Sequence, residues 1–370
     1  MTIALYTITE VLSLGFFGLG SFYKRKRFVR YLCLAISFII PCCVIIFRDL
    51  TVGTDYVTYY NAILRISDNN PNPYDEDWLG LGFRLLIHFF SLWGIPSNII
   101  PFVVIGFISI ATLSIIFFVI WRYSSHATWG LYLFYCSCLY FQMMNQFRQM
   151  FAISLIFLAF TYGLNAYRKS IPLIILAALF HSSAWIMLPC IFIVRMQFTK
   201  RIIAIYCFAT LMLALSYPFI EILLSDTVYG ERYFGRDDLD VSLSMNSIFN
   251  LAFRVLLLLF CFKMRKKITS SIDFQSNSAF YNMLYHMTFL CLLTQVLTVF
   301  GSYLFGRVTT YFFIFYTLLL PPTFFARSDI LPATNKLFFK YCAIIICLSY
   351  QFVYYLTNGE PSGYTAYQFV

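Results

Sequence analysis

Long apolar runs alternate with short polar stretches along the whole chain. Many of these runs approach the roughly 20 residues that an α-helix needs to cross the hydrocarbon core of a bilayer. The clearest runs cover residues 3–22, 31–47, 97–121, 128–144, 149–166, 202–224, 247–263, 277–300, 308–326 and 337–356. The pattern predicts an all-α, polytopic integral membrane bundle with about 10 to 12 transmembrane segments.

Two stretches do not fit a simple crossing. Leu79–Trp93 is short and carries Arg84, which favours an interfacial or re-entrant helix. Pro172–Val194 begins and ends beside basic loops, so we expect a hairpin or a broken helix with His181 near its turn. An alternative topology makes both stretches full crossings and places Arg148 on the inner face.

The distribution of charge orients the bundle. The net charge is +10, and the basic residues cluster in short loops between apolar runs, which places those loops in the cytoplasm. Both termini then face outward, and the positive charge does not indicate a nucleic-acid partner. Of the sixteen acidic residues, only Asp273 and Asp329 fall on the predicted inner side. The prediction is one transmembrane domain over residues 1–370, with acidic outer loops at about 48–79 and 225–246.

The stretch "NQFRQMFA", residues 145–152, places an arginine between two apolar runs. If it is helical, spacings of three and four residues put Asn145, Arg148, Gln149 and Ala152 on one face. Lipid cannot solvate such a face, and an ionisable residue inside a membrane predicts a functional site. The structural alternative is an interfacial arginine that only reaches to lipid headgroups.

The stretch "RDLTVGTDYVTYY" follows the second apolar run directly. Gly53 permits a turn that would bring Asp55 near Arg48, with Tyr59 close by. An acid among aromatic side chains is typical of sugar binding. An ion pair between Arg48 and Asp55, with the tyrosines in an interfacial aromatic belt, explains the same residues without a function.

Two further polar groups lie in apolar surroundings. His181 in "FHSSAW" has the chemistry of a proton donor or general base, although a buried histidine bonded to a neighbouring serine is the structural alternative. Arg307 in "FGRVTTYF" begins a late apolar run at the predicted outer face. The sequence shows no phosphate-binding loop, no metal-ligand cluster and no nucleophile elbow, so we expect neither a metal nor a cofactor.

The ordered set of "RDLTVGTDY", "DEDWLGLGF", "NQFRQMFA", "FHSSA" and a late arginine resembles the EpsG-type branch of the Wzy polymerases of bacterial surface polysaccharides. The resemblance covers most of the chain. It implies a glycosyltransferase that joins oligosaccharide repeat units carried on undecaprenyl pyrophosphate, at the outer face of the bacterial inner membrane. Other implied partners are the bilayer, a chain-length regulator and a flippase.

The resemblance also implies roles for individual residues. Catalytic roles fall to Asp55, Glu76 and His181, although Glu76 stands between two further acids. Arg48, Arg148 and Arg307 would bind pyrophosphate, because fixed cations stabilise the negative charge of the leaving group. Substrate binding or orientation of the site falls to the remaining residues of the set, which are Tyr59, Asn145 and Gln149.

Three other activities share some of these features. An O-antigen-ligase-like transferase would use the same donor, but such enzymes usually carry a larger periplasmic domain. A membrane O-acyltransferase would make His181 central and leave the outer arginines without a role. A flippase or transporter would also line a cavity with arginines, but pseudo-symmetric halves are typical of transporters and the sequence shows none.

Overall fold

The computed structural model describes residues 2–72, 79–164, 166–224, 245–269, 277–300, 303–325, 333–364, 367 and 368. Within these ranges the chain is helical and contains no β-strand, which confirms the predicted all-α class. The chain divides into two compact units. Unit 1 comprises Met1–Leu188 and Ala333–Val370, and unit 2 comprises Pro189–Pro332.

The described residues of unit 1 form ten complete helices and a short 3-10 helix at Ser182–Ile186. The helices are α1 (Thr2–Phe22), α2 (Arg27–Ile46), α3 (Thr54–Ser67), α4 (Leu81–Ser91), α5 (Ile100–Tyr123), α6 (Ala127–Cys136), α7 (Leu139–Asn145), α8 (Phe147–Tyr162), α9 (Tyr167–Phe180) and α16 (Ala333–Asn358). Helix α8 is buried around almost its whole circumference, as expected of a central core helix. Helices α5, α7 and α9 pack against it.

In the described part of unit 2, one helix lies at the centre of the others. This part of the unit contains α11 (Lys200–Leu224), α12 (Met245–Thr269), α13 (Ser278–Phe300), α14 (Tyr303–Phe313) and α15 (Tyr316–Phe325), and the division between the units falls within α10 (Met187–Ile193). Helix α13 contacts each of the other four. Its His286 is fully buried and bonds to the carbonyl of Met196 through Nε2 and to the hydroxyl of Tyr206 through Nδ1.

Six described helices are long and apolar enough to cross a membrane by length and composition: α1, α2, α5, α11, α12 and α13. The protein is therefore a multi-pass membrane protein. Two runs predicted as continuous spans are broken. The run at 128–144 divides at Cys138, whose φ of 60° is left-handed. Beside this break, the hydroxyl of Ser137 donates to the carbonyl of Phe134. The run at 308–326 divides between Phe313 and Tyr316.

The stretch Leu79–Trp93 contains the short helix predicted for it. Helix α4 has 11 residues, which gives a length of about 16 Å, half the thickness of a hydrocarbon core. The chain enters and leaves at one place, because Tyr60 donates its hydroxyl to the carbonyl of Asn98 and Ser67 donates to that of Ser97. Helix α4 alone is therefore too short for an ordinary crossing, and its re-entrant or interfacial placement stays a prediction.

Unit 1 has two chemically distinct ends. At one end, the amide of Tyr367 donates to the hydroxyl of Thr2 and the amide of Asp49 donates to the carbonyl of Gln368. Basic residues predicted to be cytoplasmic lie away from that end: Arg30 lies over Trp121 at 5.3 Å and Lys169 lies over Tyr162 at 4.9 Å. Both described termini share one end, as the predicted topology requires.

Candidate active site

Arg48 is fully buried where α2 gives way to the loop before α3. Its Nη2 donates to the backbone carbonyl of Met144 at 2.8 Å, and its guanidinium lies 4.4 Å from the ring centroid of Tyr56. Nε and Nη1 are buried and make no hydrogen bond within the described residues. The guanidinium thus connects the end of α2 to the end of α7. Its Nε and Nη1 groups are donors that a buried anion would satisfy.

Gly53 provides the turn that the sequence predicts. Its φ is +99°, a region that L side chains rarely adopt. A β-carbon at this position would lie 2.6 Å from Oδ1 of Asn145 and 3.0 Å from the carbonyl of Met144. The position therefore requires glycine both for its backbone conformation and for the close approach of α7.

Asn145 joins three segments that are distant in sequence. Its Nδ2 lies 3.3 Å from the hydroxyl of Thr54 and 3.2 Å from the carbonyl of Ser362, and it donates to both. Its Oδ1 is buried and accepts no hydrogen bond within the described residues. The side chain therefore holds the start of α3 against the segment that follows α16.

That segment is a strap, defined here as residues 359–364 together with 367 and 368. The amides of Gly53 and Thr54 donate to the carbonyls of Gly363 and Ser362 at 3.2 and 3.3 Å. Gly363 has a φ of +72°, and a β-carbon there would lie 3.1 Å from the nitrogen of Gly53. Two glycines with positive φ thus face each other, and this lets the strap lie directly against the loop.

Tyrosines fix the strap from the membrane side. Tyr367 donates its hydroxyl to the carbonyl of Val44 at 2.6 Å, and Tyr6 of α1 donates to that of Tyr364 at 3.3 Å. Burial raises the pKa of Tyr364 well above its ordinary value, and Tyr354 and Asp55 raise it further while Arg48 lowers it. The phenol of Tyr364 therefore stays protonated within electrostatic range of both Arg48 and Asp55.

Arg148 lies in the first turn of α8 and is 6% exposed. Its Nε donates to the hydroxyl of Tyr59 at 3.3 Å, and its guanidinium carbon is 5.4 Å from that ring's centroid. Tyr59 also packs on Phe147 and Phe83, with ring centroids 4.2 and 6.3 Å away. The aromatic cluster orients the guanidinium plane, and this matters because a planar fork binds a phosphate well only in the correct orientation.

The polar face predicted for residues 145–152 does not come from one helix. Helix α7 ends at Asn145 and α8 begins at Phe147, and between them Gln146 adopts φ −97° and ψ 42°. Arg148 and Gln149 therefore project from α8, while Asn145 projects from a different helix end. Gln149 is also buried, at 2% exposure, so all three polar side chains lie inside the protein.

Two acidic side chains lie beside this cluster, and one of them, Asp55, is a predicted catalytic residue. Asp55 occupies the first turn of α3 and is half-buried. Asp49 lies in the preceding loop, where the amide of Thr51 donates to its carboxylate at 2.9 Å and holds the pKa of Asp49 below its ordinary value. Glu76 falls outside the described residues, so its catalytic assignment stays a prediction.

His181 interrupts the helical path of the fourth motif, as predicted for a broken helix. Helix α9 ends at Phe180, His181 is extended with φ −147° and ψ 110°, and a 3-10 turn follows. Its Nδ1 lies 2.7 Å from the hydroxyl of Ser183. Phe180 contacts the ring of Phe151 at 4.7 Å. Since Phe151 is one turn after Arg148, the histidine motif meets the arginine motif on α8.

Arg307 lies in α14 of unit 2 and is half-buried. Its assignment to pyrophosphate binding stays a prediction. A second arginine of unit 2, Arg254, is buried in α12 with its guanidinium 4.7 Å from the ring centroid of Phe313. Within the described ranges, no group of three or more His, Cys, Asp or Glu side chains is placed to hold a metal ion.

Sequence reasoning missed the strap and its contacts. Ser362 and Gly363 meet the Gly53 turn through backbone atoms, so their side-chain chemistry gives no signal. The available signal was the unusual density of turn formers in "NGEPSG", directly after the last apolar run.

Comparison with known proteins supplies the family. The model of the EpsG family matches residues 12–369, nearly the whole chain, and so includes every site residue predicted from the sequence. No curated protein and no solved structure matches the chain. The EpsG family is associated with membrane proteins of the polysaccharide-polymerase type. This chain belongs to the EpsG family.

Proposed function

We propose that the protein is a membrane glycosyltransferase that polymerises oligosaccharide repeat units carried on undecaprenyl pyrophosphate. The reaction takes place at the outer face of the bacterial inner membrane and forms a surface polysaccharide. The observation that carries the proposal is the burial of Arg48, Asn145, Arg148 and Gln149 together at one end of unit 1. Burying so many polar groups is costly, and an anionic substrate accounts for the cost.

The reaction moves one glycosyl group. The bond between the anomeric carbon of the growing chain and its pyrophosphate oxygen breaks, and a hydroxyl of the incoming unit forms the new glycosidic bond. The hydroxyl proton passes to a base, for which Asp55, Glu76 and His181 are the candidates. The carrier leaves as undecaprenyl pyrophosphate, so the balance requires neither a nucleotide nor a redox partner.

The arginines act on the leaving group. Negative charge grows on the pyrophosphate as the anomeric bond breaks, and a cation fixed in a poorly solvated site stabilises this charge without reorganisation. Arg148 suits this role because Tyr59 and the surrounding rings hold its guanidinium in place. Arg48 is fully buried, so it supports the same site from inside the protein. Arg307 is proposed as a further cation that binds the pyrophosphate of the donor.

The test is direct polymerisation. Purified protein with undecaprenyl-pyrophosphate repeat units, and without nucleotide or added metal, should extend them into a ladder and release undecaprenyl pyrophosphate. Arg148→Ala and Arg307→Ala should leave single units unextended. Arg65→Ala provides a matched control, because this arginine lies in the last turn of α3, away from the polar cluster.

The same variants distinguish the alternatives. In cells, Arg148→Ala should leave single units on the outer leaflet, because flipping precedes the proposed step. Single units trapped on the inner leaflet, with no ladder from purified protein, would establish the flippase instead. Transfer of one preformed glycan to a different acceptor, without any ladder, would establish the ligase-like transferase.

A further inference from the structure

A second polar site lies inside unit 1, away from the arginines. A cavity of about 330 Å³ is bounded by α1, α6, α7 and α16. Val11 and Phe352 line it and are also exposed on the outer surface, at 61% and 58%. The cavity therefore opens sideways, towards the bilayer that surrounds these helices.

One ionisable carboxyl group lies on the wall of this cavity. Glu10 is 8% exposed, and the Nε2 of Gln351 on α16 donates to both of its oxygens, each at 2.7 Å. A carboxylate has about four acceptor sites, so a single amide nitrogen leaves it underpaired. Burying a charge that is not fully paired costs several kcal/mol. A further donor or a cation in the cavity would complete the pairing of Glu10.

The described residues that line the cavity supply no such cation, because no lysine, arginine or histidine is among them. The hydroxyls of three lining tyrosines donate elsewhere: Tyr6 to the carbonyl of Tyr364, Tyr132 to that of Ile344 and Tyr135 to the hydroxyl of Ser13. None of these three hydroxyls donates to Glu10, which is the only acidic side chain among the described lining residues.

The rest of the wall is aromatic. Six aromatic side chains line the cavity: Tyr6, Tyr132, Tyr135, Phe141, Phe352 and Tyr355. Tyr6, Phe141 and Tyr355 also contact one another, with ring centroids 4.9 to 6.4 Å apart. Aromatic rings attract cations, most strongly where water is excluded. Hard metal ions need six or more oxygen ligands, and this wall does not provide them.

We propose that this cavity binds an organic ammonium group carried on an apolar body, with Glu10 as its counter-ion and the aromatic wall around it. The ammonium completes the pairing of the carboxylate, and the apolar body fills the cavity from the bilayer side. Tyr6 belongs to the wall and bonds to the strap at Tyr364, so the ligand would lie one residue away from the candidate active site. The proposal does not depend on the polymerase activity.

The experiment measures binding by the full-length protein in lipid nanodiscs. Benzyltrimethylammonium is compared with neopentylbenzene, which has the same shape without the charge, at equal concentrations in the membrane phase. The cation should raise the thermal unfolding midpoint in a saturable manner, and the neutral compound should not. Glu10→Gln should weaken the apparent affinity for the cation by at least about tenfold.

Two more variants complete the design. Glu360→Gln removes a carboxylate from the exposed part of the strap and should bind like the unmodified protein. Leu348→Trp fills the cavity from α16 while keeping Glu10, and should abolish the response even if Glu10→Gln folds poorly. Equal midpoint shifts from the charged and neutral compounds, or unchanged cation binding by both Glu10→Gln and Leu348→Trp, would overturn the proposal.

Discussion

Arg148 donates from Nε to the hydroxyl of Tyr59 at 3.3 Å, although the two residues are 89 positions apart in the chain. The bond connects the first turn of α8 to α3 and fixes the edge from which the guanidinium can meet a ligand. A buried cation held in this way costs no reorganisation when charge develops on a substrate. The pairing gives Arg148 a role that its charge alone does not explain.

Replacement of Arg148 by lysine should lower the polymerisation rate by about a hundredfold. Lysine keeps the charge but loses both the planar fork and the Nε donor that meets Tyr59. The measurement is ladder formation by purified protein, with abundance and thermal unfolding followed in parallel. Arg65→Lys is the matched control. Near-normal polymer from Arg148→Lys would show that only the positive charge of Arg148 is needed.

Replacement of Gly53 by alanine should lower the polymerisation rate by about a hundredfold, because small displacements of a catalytic constellation are costly. The new methyl group would meet Asn145 at 2.6 Å in a backbone region that alanine avoids. Gly94→Ala is the matched control, since Gly94 has a φ of +68° but nothing within 4 Å of its β-carbon position. Equal losses from both variants would assign the effect to backbone strain alone.

Replacement of Asn145 by aspartate should release the strap and lower the polymerisation rate more than tenfold. An ionised carboxylate cannot donate to the carbonyl of Ser362, and loss of a partner for a buried polar group costs about 1–3 kcal/mol. The additional measurement is the rate at which a membrane-impermeant maleimide, added outside spheroplasts, labels the thiol of a Ser362→Cys variant, because Ser362 is half-buried while the strap is in place.

Gln149→Glu is the control for the labelling measurement. It places the same new charge in the polar cluster but keeps Asn145 and its bond to Ser362, so its labelling rate should match that of the Ser362→Cys protein without a second change. Faster labelling in Asn145→Asp alone identifies release of the strap. An unchanged rate in Asn145→Asp would show that Asn145 does not hold the strap.

The orientation in the membrane predicts a labelling pattern. A maleimide that cannot cross membranes should label cysteine at positions 54 and 237 in intact cells, but not cysteine at position 266, because the basic loops face the cytoplasm. Labelling after permeabilisation is the control for reactivity. Labelling of position 266 from outside would reverse the orientation and place the candidate site on the cytoplasmic face.

Local signals were sufficient to predict much of this molecule. The helical class follows from the apolar runs, the turn at Gly53 follows from glycine, and the break at His181 follows from polar residues inside an apolar run. The interruption at Cys138 could not be predicted, because cysteine is not a helix breaker and tertiary packing decides its conformation. Helix ends rather than one amphipathic face bring Asn145 and Arg148 together.

Contacts between residues distant in sequence could not be predicted either. The approach of Gly363 to Gly53 depends on backbone atoms, and the meeting of Glu10 with Gln351 spans 341 positions. The amino-acid composition does not predict such contacts. The functional motifs were visible because the chemistry of their side chains is unusual in a membrane, whereas the segment that holds them together has ordinary side chains.

The strap also fixes when the site can be completed during synthesis. Asn145 and its partner Ser362 are 217 positions apart, and all of unit 2 lies between them in the chain. At about 5–20 residues per second, the ribosome needs roughly 10 to 40 s to bridge that interval. Throughout this time the first helices of unit 1 lie in the membrane with the Gly53 turn uncovered. The bundle of unit 1 therefore stays incomplete in the membrane until its last helix is made.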